Sequence, residues 1–242
     1  MNDYDALTIE AAICFARKNK RRIAREFTQT GTYVPEQHPV SVFMAGSAGA
    51  GKTEAAIELI DELTRGSDVR IMRIDPDDLR GHFEGYLGTN AWMFQKPASI
   101  LVEKIHDMAL DQSQSFVLDG TFTNREKAIQ NISRSLRRKR PCVVLYVYQR
   151  PDLAWRFVQA REMREGRRIP AEVFVDQFFA AREVANAVKD RFGKAVLLNL
   201  LVKNIDGSSQ LYVSDIDRID GCLHDGYDHQ GLLKQIKAGE RS

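Results

Sequence analysis

The sequence of 242 residues has few cysteines, histidines and tryptophans, and it has almost no excess of charge of either sign. Cys14, Cys142 and Cys222 lie far apart, and an odd number of widely separated cysteines argues against a disulfide framework. We therefore expect a reducing compartment, the cytoplasm. A net charge of +2 gives no general argument for a nucleic acid or an anionic membrane as a partner.

Long apolar runs are also missing, so the sequence predicts no membrane-spanning segment, and no N-terminal signal peptide is visible. Hydrophobic residues make up 43% of the chain and charged residues 28%, which is ordinary for a globular protein. This length and composition fit one large α/β domain, alone or with a small appendage.

The most informative segment is a glycine-rich stretch, Gly46-Ser47-Ala48-Gly49-Ala50-Gly51-Lys52-Thr53. It follows an apolar run at 40–45 and leads into a helix-prone segment, which is the P-loop order of strand, glycine turn, Lys-Thr and helix. Glycine-rich backbone can turn its N–H groups towards phosphate oxygens, and a helix N-terminus favours the same anion. We expect all eight residues to bind ATP, with Lys52 on the β- and γ-phosphates and Thr53 on Mg²⁺.

Apolar runs alternate with amphipathic segments along the rest of the chain. Strands are predicted at 40–45, 69–74, 115–118, 142–148, 195–201 and 211–213. Helices are predicted at 5–27, 76–82, 98–110, 124–138, 151–165 and 170–191, besides the one after the P-loop. The alternation predicts an α/β P-loop NTPase fold of the mononucleotide-kinase type, a parallel sheet flanked by helices.

This pattern divides the chain into three parts: an N-terminal helix and connector at 1–39, a kinase core at 40–213, and a C-terminal extension at 214–242. The core is expected to carry an arginine lid at 161–170. Periodicity beyond Asp220 is weak, so we expect the extension to be partly ordered at most.

Acidic residues follow two of the predicted strands, as Asp75-Pro76-Asp77-Asp78 and as Asp119-Gly120-Thr121. Ligands of such sheets bind at the carboxyl ends of the strands, where a carboxylate can take the proton from an attacking hydroxyl. Asp77 is the candidate base, and Asp119 also fits a metal ligand at the end of an apolar strand. Asp75 as a helix cap or turn former, and Asp78 as a solvated acid, remain open alternatives.

Four arginines lie around the predicted end of the helix at 151–165: Arg161, Arg164, Arg167 and Arg168. A spacing of three and four residues places side chains on one face of a helix, and guanidinium groups stabilise the charge of a transferring phosphoryl group. We interpret them as a lid over the phosphates. The alternative is a charged surface helix paired with Glu162 and Glu165.

Together the motifs resemble the zeta toxin family, the toxins of bacterial toxin–antitoxin pairs. The resemblance rests on the P-loop, Ile74-Asp75-Pro76-Asp77-Asp78-Leu79-Arg80, Asp119-Gly120-Thr121 and Gly166-Arg167-Arg168-Ile169-Pro170, and spans roughly residues 40 to 175. Members are kinases that phosphorylate the sugar 3′-hydroxyl of UDP-N-acetylglucosamine and related nucleotide sugars, which starves cell-wall synthesis. The resemblance also implies a small antitoxin that covers the ATP site.

The resemblance assigns further roles. Asp77, Lys52, Arg161 and Arg167 are the implied catalytic residues, with Asp77 as base. Arg164 and Arg168 join the P-loop as implied ATP-binding residues. The implied substrate-binding residues are Asp77, Arg80, Glu103, Asp119 and Thr121.

The sequence departs from the family pattern after the third strand. Some members have Glu-Gly-Thr-Gly-Arg there, whereas this chain has Phe122 and Thr123 in the last two places and Arg125 nearby. The missing arginine could hold a substrate diphosphate, so the acceptor stays open among a nucleotide sugar, a dinucleotide such as NAD, a nucleoside and an antibiotic. A nucleotide-binding switch without acceptor chemistry is a further alternative.

Overall fold

The computed structural model describes residues 3–239, which form one six-stranded sheet with helices on both faces. The strands are β1 (Ser41–Ala45), β2 (Met72–Ile74), β3 (Phe116–Leu118), β4 (Cys142–Tyr148), β5 (Val196–Lys203) and β6 (Ser209–Val213). The α-helices are α1 (Asp3–Phe27), α2 (Lys52–Thr64), α3 (Gln95–Asp111), α4 (Arg125–Arg137), α5 (Pro151–Glu165), α6 (Ala171–Phe192) and α7 (His229–Gly239).

The strand order across the sheet is β2-β3-β1-β4-β5-β6. The first five strands in this order are parallel, and β6 is antiparallel to β5. Strand β1 is central, and its Phe43 is in register with Leu118 of β3 and Val144 of β4. The carboxyl ends of β1, β2 and β3 therefore lie side by side, and the predicted α/β fold is confirmed.

Strands β1, β3 and β4 are apolar almost throughout because both faces of the sheet are covered. Alternate residues of β1 enter two different apolar clusters, Phe43 and Ala45 in one and Val42 and Met44 in the other. Helix α2 packs against the second cluster. The larger cluster takes in α3, α6 and the buried face of α1.

Helix α1 packs along α3. Its buried residues are mostly small, Ala12, Ala16, Ile23 and Ala24. Small side chains at these positions let two helices approach closely. The opposite face carries exposed basic residues and remains in solvent.

Two predicted segments differ from the structure near the carboxyl end of β2. The strand begins at Met72 rather than at residue 69, because its neighbour β3 is only three residues long. The helix expected at 76–82 is a tight turn followed by a 3₁₀-helix, Arg80–His82, whose backbone bonds join residues three apart. Asp77 and Arg80 lie in this tight winding, just after the carboxyl end of β2.

The C-terminal extension is better ordered than its periodicity indicates. Helix α7 packs on α6 and buries Leu232 and Ile236. Within residues 3–239, none of the helices is long and apolar enough to cross a membrane.

Candidate active site

The P-loop joins β1 to α2 through three glycines with positive φ, Gly46 at 138°, Gly49 at 70° and Gly51 at 83°. A Cβ atom on Gly46 would lie 2.4 Å from the carbonyl oxygen of Val147, and one on Gly49 would lie 2.1 Å from that of Ala154. Any side chain at these two positions would collide with backbone. The loop thus requires glycine for its packing as well as for its turn.

Helix α2 begins at Lys52, and no side chain caps its N-terminus. Its first N–H groups are therefore available to an anion, which the helix dipole also favours. The Lys52 amine donates to the carbonyl oxygen of Ser47 at 2.6 Å. Burial lowers the pKa of Lys52 to about 8, and the charge of Asp119 partly offsets this. An anionic ligand here would favour the charged form further and raise the pKa of Lys52.

Thr53 lies beside Asp119 at the end of β3. The Thr53 hydroxyl donates to Asp119 Oδ2 at 3.0 Å. A hydroxyl and a carboxylate are hard oxygen donors of the kind that Mg²⁺ prefers when it keeps waters and substrate phosphates in its remaining positions. The residues present therefore fit a magnesium ion bound together with a nucleotide.

Arg73 of β2 links the carboxylates at the two strand ends, and sequence reasoning missed it. Its Nη1 lies 2.5 Å from Asp75 Oδ2 and 3.1 Å from Asp119 Oδ2, and its Nη2 lies 2.6 Å from Asp78 Oδ2. The signal was present, since Arg73 precedes the acidic run by two residues on a strand and so points to the same face as Asp75. The guanidinium holds three carboxylates together.

The structure also gives the local contacts of Asp75 and Asp78. The Asp77 N–H donates to Asp75 Oδ1 at 2.7 Å, so Asp75 forms the turn. Burial, followed by the charge of Asp119, raises the pKa of Asp75. Asp78 is half-exposed and pairs with Arg73.

The Asp77 carboxylate lies between two arginines. Its Oδ1 is 2.8 Å from Arg80 Nη1, and its Oδ2 accepts a hydrogen bond from Arg167 Nη1. Asp77 lines the same cavity as Lys52 and Thr53. The structure therefore brings the candidate base, the P-loop and one lid arginine to a single cavity.

The lid is the carboxyl end of α5, which Gly166 terminates in the left-handed conformation at φ +71°. Arg161, Arg164 and Arg167 line the cavity. In the same structure Glu165 pairs with Arg161 at 3.5 Å and with Arg164 at 2.6 Å. The cavity-facing arginines thus also make the ion pairs of a charged helix surface.

The lid contacts the loop that follows β2. A Cβ atom on Gly88 would lie 2.5 Å from the carbonyl oxygen of Glu165, and one on Gly166 would lie 2.6 Å from Thr89 Cγ2. These contacts join the end of α5 to residues 88 and 89. The segment just before Arg167 is therefore fixed by a close backbone approach.

Four residues assigned to the site from sequence do not line the cavity. Glu103 is exposed on α3, one turn beyond the cavity-lining Ser99, and does not line the cavity itself. The Arg168 side chain is 78% exposed and approaches Glu162 at 3.9 Å. Gly46 and Ser47 are buried beneath the loop. Gly46 donates its N–H to Thr121, and Ser47 accepts from Lys52.

The cavity has a volume of about 830 Å³. One side is made by the P-loop, α5 and the segment 206–208 after β5. The other is made by the segment after β3 and by α3 and α4, including Thr121, Ser99 and Lys127. A nucleotide triphosphate and a second molecule can therefore be held next to each other at the carboxyl ends of the strands.

Phe122 keeps the backbone conformation that its position requires. Its φ is +61°, in the left-handed region, where the family pattern has a glycine. The ring packs against the core, with its centroid 6.3 Å from that of Phe43. Phe122 thus adopts a backbone conformation that is uncommon for a bulky residue. Arg125 points elsewhere, into a separate groove beside α6.

Five parallel strands in this order, with a glycine nest after the central one and a lid helix over it, define the fold of a P-loop kinase. The family model for zeta toxins matches residues 23–217. The chain belongs to the zeta toxin family.

Solved structures agree with this fold. A chain from the PezAT chromosomal toxin–antitoxin system of Streptococcus pneumoniae superposes with a TM-score of 0.64 at 12% identity, covering 98% of this chain and 96% of that one. A chain of the AvrRxo1-ORF1:AvrRxo1-ORF2 complex with sulphate ions superposes with a TM-score of 0.58 at 20% identity, covering 87% of this chain and 67% of that one. A chain of the AvrRxo1-ORF1:-ORF2 structure with ATP superposes with a TM-score of 0.58 at 18% identity, covering 90% of this chain and 70% of that one. No curated protein sequence matches the chain.

Proposed function

We propose that this protein is an ATP-dependent kinase of the zeta toxin type, which phosphorylates a sugar hydroxyl of a nucleotide sugar such as UDP-N-acetylglucosamine and so blocks cell-wall synthesis. The observation that carries the proposal is the position of Asp77, whose carboxylate lines the same cavity as Lys52 and Thr53. A base next to a triphosphate site is what phosphoryl transfer to a hydroxyl requires. Family membership and the ATP-bound AvrRxo1 structure support the choice of donor.

In the proposed reaction the acceptor hydroxyl gives its proton to the Asp77 carboxylate while its oxygen attacks the γ-phosphorus of ATP. A new O–P bond forms, the bond from the γ-phosphorus to the β–γ bridging oxygen breaks, and ADP leaves with that electron pair. Lys52 and the P-loop N–H groups hold the phosphates. Mg²⁺, held by Thr53 and Asp119, would supply positive charge to the phosphate oxygens.

Arg167 has two roles in this scheme. Without substrates it binds the Asp77 carboxylate. With ATP bound, its guanidinium transfers to the γ-phosphate and stabilises the charge that develops there. Asp77 Oδ2 is then free to accept the proton while Oδ1 stays paired with Arg80, so this oxygen becomes available only when the donor is in place.

A dinucleotide such as NAD is the second candidate acceptor. Phe122 and Thr123 stand where the family pattern has Gly-Arg, which leaves the choice between the two acceptors open. Both acceptors offer a sugar hydroxyl next to a diphosphate, so the same machinery serves either.

We also propose a small protein antitoxin as partner. The PezAT and AvrRxo1 structures come from a toxin–antitoxin system and from a two-component complex. Helix α1 has an exposed basic face, with Arg17, Lys18, Arg21, Arg22 and Arg25. An acidic partner would suit that face, and its binding would weaken as salt concentration rises. Salt-independent binding would contradict a role for this face.

The direct test is to incubate the protein with labelled ATP and a panel of nucleotide sugars, dinucleotides, nucleosides and antibiotics. Transfer to one of the first two classes is expected, and NMR of the product then locates the new phosphate. Expression in bacteria should arrest growth, and Lys52→Ala should relieve the arrest. Harmless expression of active wild type would contradict the toxin assignment.

A further inference from the structure

Seven cationic side chains line the cavity: Lys52, Arg80, Lys127, Arg161, Arg164, Arg167 and Lys203. Five of them have carboxylate partners, which are Asp77 for Arg80 and Arg167, Glu165 for Arg161 and Arg164, and Glu58 for Lys203. Among residues 3–239, neither Lys52 nor Lys127 has a carboxylate within ion-pair distance. Lys52 belongs to the ATP side. Lys127 is left on the acceptor side.

Lys127 is held in place by neutral partners. Its Nζ donates to Ser99 Oγ of α3 at 2.6 Å, and its N–H donates to the Asn124 side chain, which caps α4, at 2.9 Å. An ammonium group has three donors, so two remain after the bond to Ser99. The side chain is therefore oriented but not neutralised.

Lys127 has no acidic neighbour among the cavity-lining residues of α3 and α4. The cavity-lining residues contributed by α3 and α4 are Gln95, Ser99, Val102, Lys127, Ala128 and Asn131, and none is acidic. The capped N-terminus of α4 reaches the cavity at Asn124, and the positive end of the helix dipole lies there.

A second guanidinium group on this side is incompletely satisfied. The Arg80 side chain is only 7% exposed, and its Nε makes no hydrogen bond within the described part of the chain. Arg80 therefore has donor capacity that its pair with Asp77 does not use. Phosphate oxygens are strong acceptors for a guanidinium group.

We propose that Lys127 is the specificity-determining cation of the acceptor site and that it binds a phosphate group of the acceptor. In this proposal Lys127 takes the phosphate-binding role of the arginine that the family pattern has where this chain has Thr123. The inference rests on the proposed function for the identity of the acceptor half. It selects phosphate-bearing acceptors, a nucleoside diphosphate sugar or a dinucleotide, over neutral nucleosides and cationic antibiotics.

The test measures binding rather than turnover. With the ATP site filled by a non-hydrolysable ATP analogue and Mg²⁺, calorimetric titration compares UDP-N-acetylglucosamine and NAD with uridine and adenosine. At least one diphosphate ligand should bind the wild type, and Lys127→Met should weaken it about tenfold or more. Lys127→Arg should restore most of the affinity, while analogue binding should change less than twofold in all variants.

Arg125→Met is the matched control. Arg125 lies in the same turn of α4 and carries the same charge, but it lines the groove beside α6 instead of the cavity. The Arg125→Met variant should keep its affinity for the acceptor within twofold of the wild type. If Arg125→Met and Lys127→Met weakened acceptor binding equally, the effect would be one of long-range charge, and the assignment would be overturned. It would also be overturned if Lys127→Met left the affinity for the diphosphate ligands unchanged.

The outcomes also separate this inference from the proposed function. Binding that depends on Lys127 without phosphate transfer from ATP would uphold the subsite and contradict the kinase. Phosphate transfer to a neutral acceptor, at a rate that Lys127→Met does not change, would uphold the kinase and contradict the subsite. Failure of both diphosphate ligands to bind the wild type would overturn the subsite.

Discussion

Arg167, the first residue after the lid glycine, donates a hydrogen bond to the carboxylate of Asp77, which lies 90 residues earlier in the chain. The pair joins the lid to the residue that we propose as base. In the proposed scheme the same guanidinium binds first the carboxylate and then a phosphate. The predictions below follow from this arrangement and from the packing that supports it.

Arg167→Ala should lower kcat by about a hundredfold or more, because a guanidinium on the transferring phosphate is worth orders of magnitude in rate. Arg168→Ala is the control, since that side chain is 78% exposed and does not line the cavity. Steady-state kinetics would compare them. Equal losses in the two variants would contradict the assignment of Arg167 to the site.

Gly88→Ala should lower kcat and loosen the lid, because the new methyl group would lie 2.5 Å from the Glu165 carbonyl oxygen. Gly85→Ala is the matched control: Gly85 has nearly the same φ, +78° against +79°, but open space around its Cβ position. Hydrogen exchange of residues 160–170 would report the loosening. The prediction fails if both variants increase exchange equally.

Lys52→Met should stabilise the free protein at pH 7 while it abolishes ATP binding. The pKa of Lys52 is lowered from 10.5 to about 8, so the unfolded chain binds more protons between these values. The cost of the buried charge is fully present below pH 8 and disappears as the pH rises to 10.5. Urea unfolding should show a gain in the free energy of unfolding at pH 7 that is smaller at pH 9.5; an equal gain at both would refute the charge explanation.

Arg140→Met should destabilise the fold by about 3 kcal/mol without changing the site, because it removes three hydrogen bonds from a buried guanidinium. The buried guanidinium donates to Ser41 Oγ at 2.9 Å and to the carbonyl oxygens of Val40 and Gln114, at 3.1 and 2.5 Å. These bonds tie the amino ends of β1, β3 and β4 together.

The control for Arg140 is Arg138→Met, because Arg138 is half-exposed and pairs only with Asp111 and a backbone carbonyl among its described contacts. A surface pair of this kind contributes at most about 1 kcal/mol. Denaturant unfolding measures both variants, and similar free-energy losses would argue against a special role for Arg140.

Much of the fold could be predicted because its signals are local. Glycines in a strand-to-helix turn, apolar strands and the order of the elements specify a parallel sheet, and the strand-end rule indicates where Asp77 and Asp119 meet the P-loop. The short β2 could not be predicted, since its length depends on its partner β3. Nor could α7, whose stability comes from packing on α6 rather than from its own periodicity.

Some site residues could likewise be predicted from local sequence signals, and others could not. Lys52, Thr53, Asp77 and Asp119 follow from motif and strand position, and the structure places them at one cavity. Glu103 lies one turn of α3 beyond the cavity-lining Ser99, and how far the cavity extends along that helix depends on tertiary packing. Arg73 and Lys127 act through contacts with other elements, Asp119 and Ser99, which spacing in the sequence does not reveal.

The central claim is that Asp77 is the base of a kinase, and Asp77→Asn tests it most directly. Transfer of labelled phosphate from ATP would be measured for the wild type and the variant with UDP-N-acetylglucosamine and with NAD, alongside equilibrium binding of ATP. The account predicts transfer by the wild type, a loss of about a hundredfold or more in the variant, and ATP affinity within threefold of the wild type. Transfer by Asp77→Asn at the wild-type rate would contradict it.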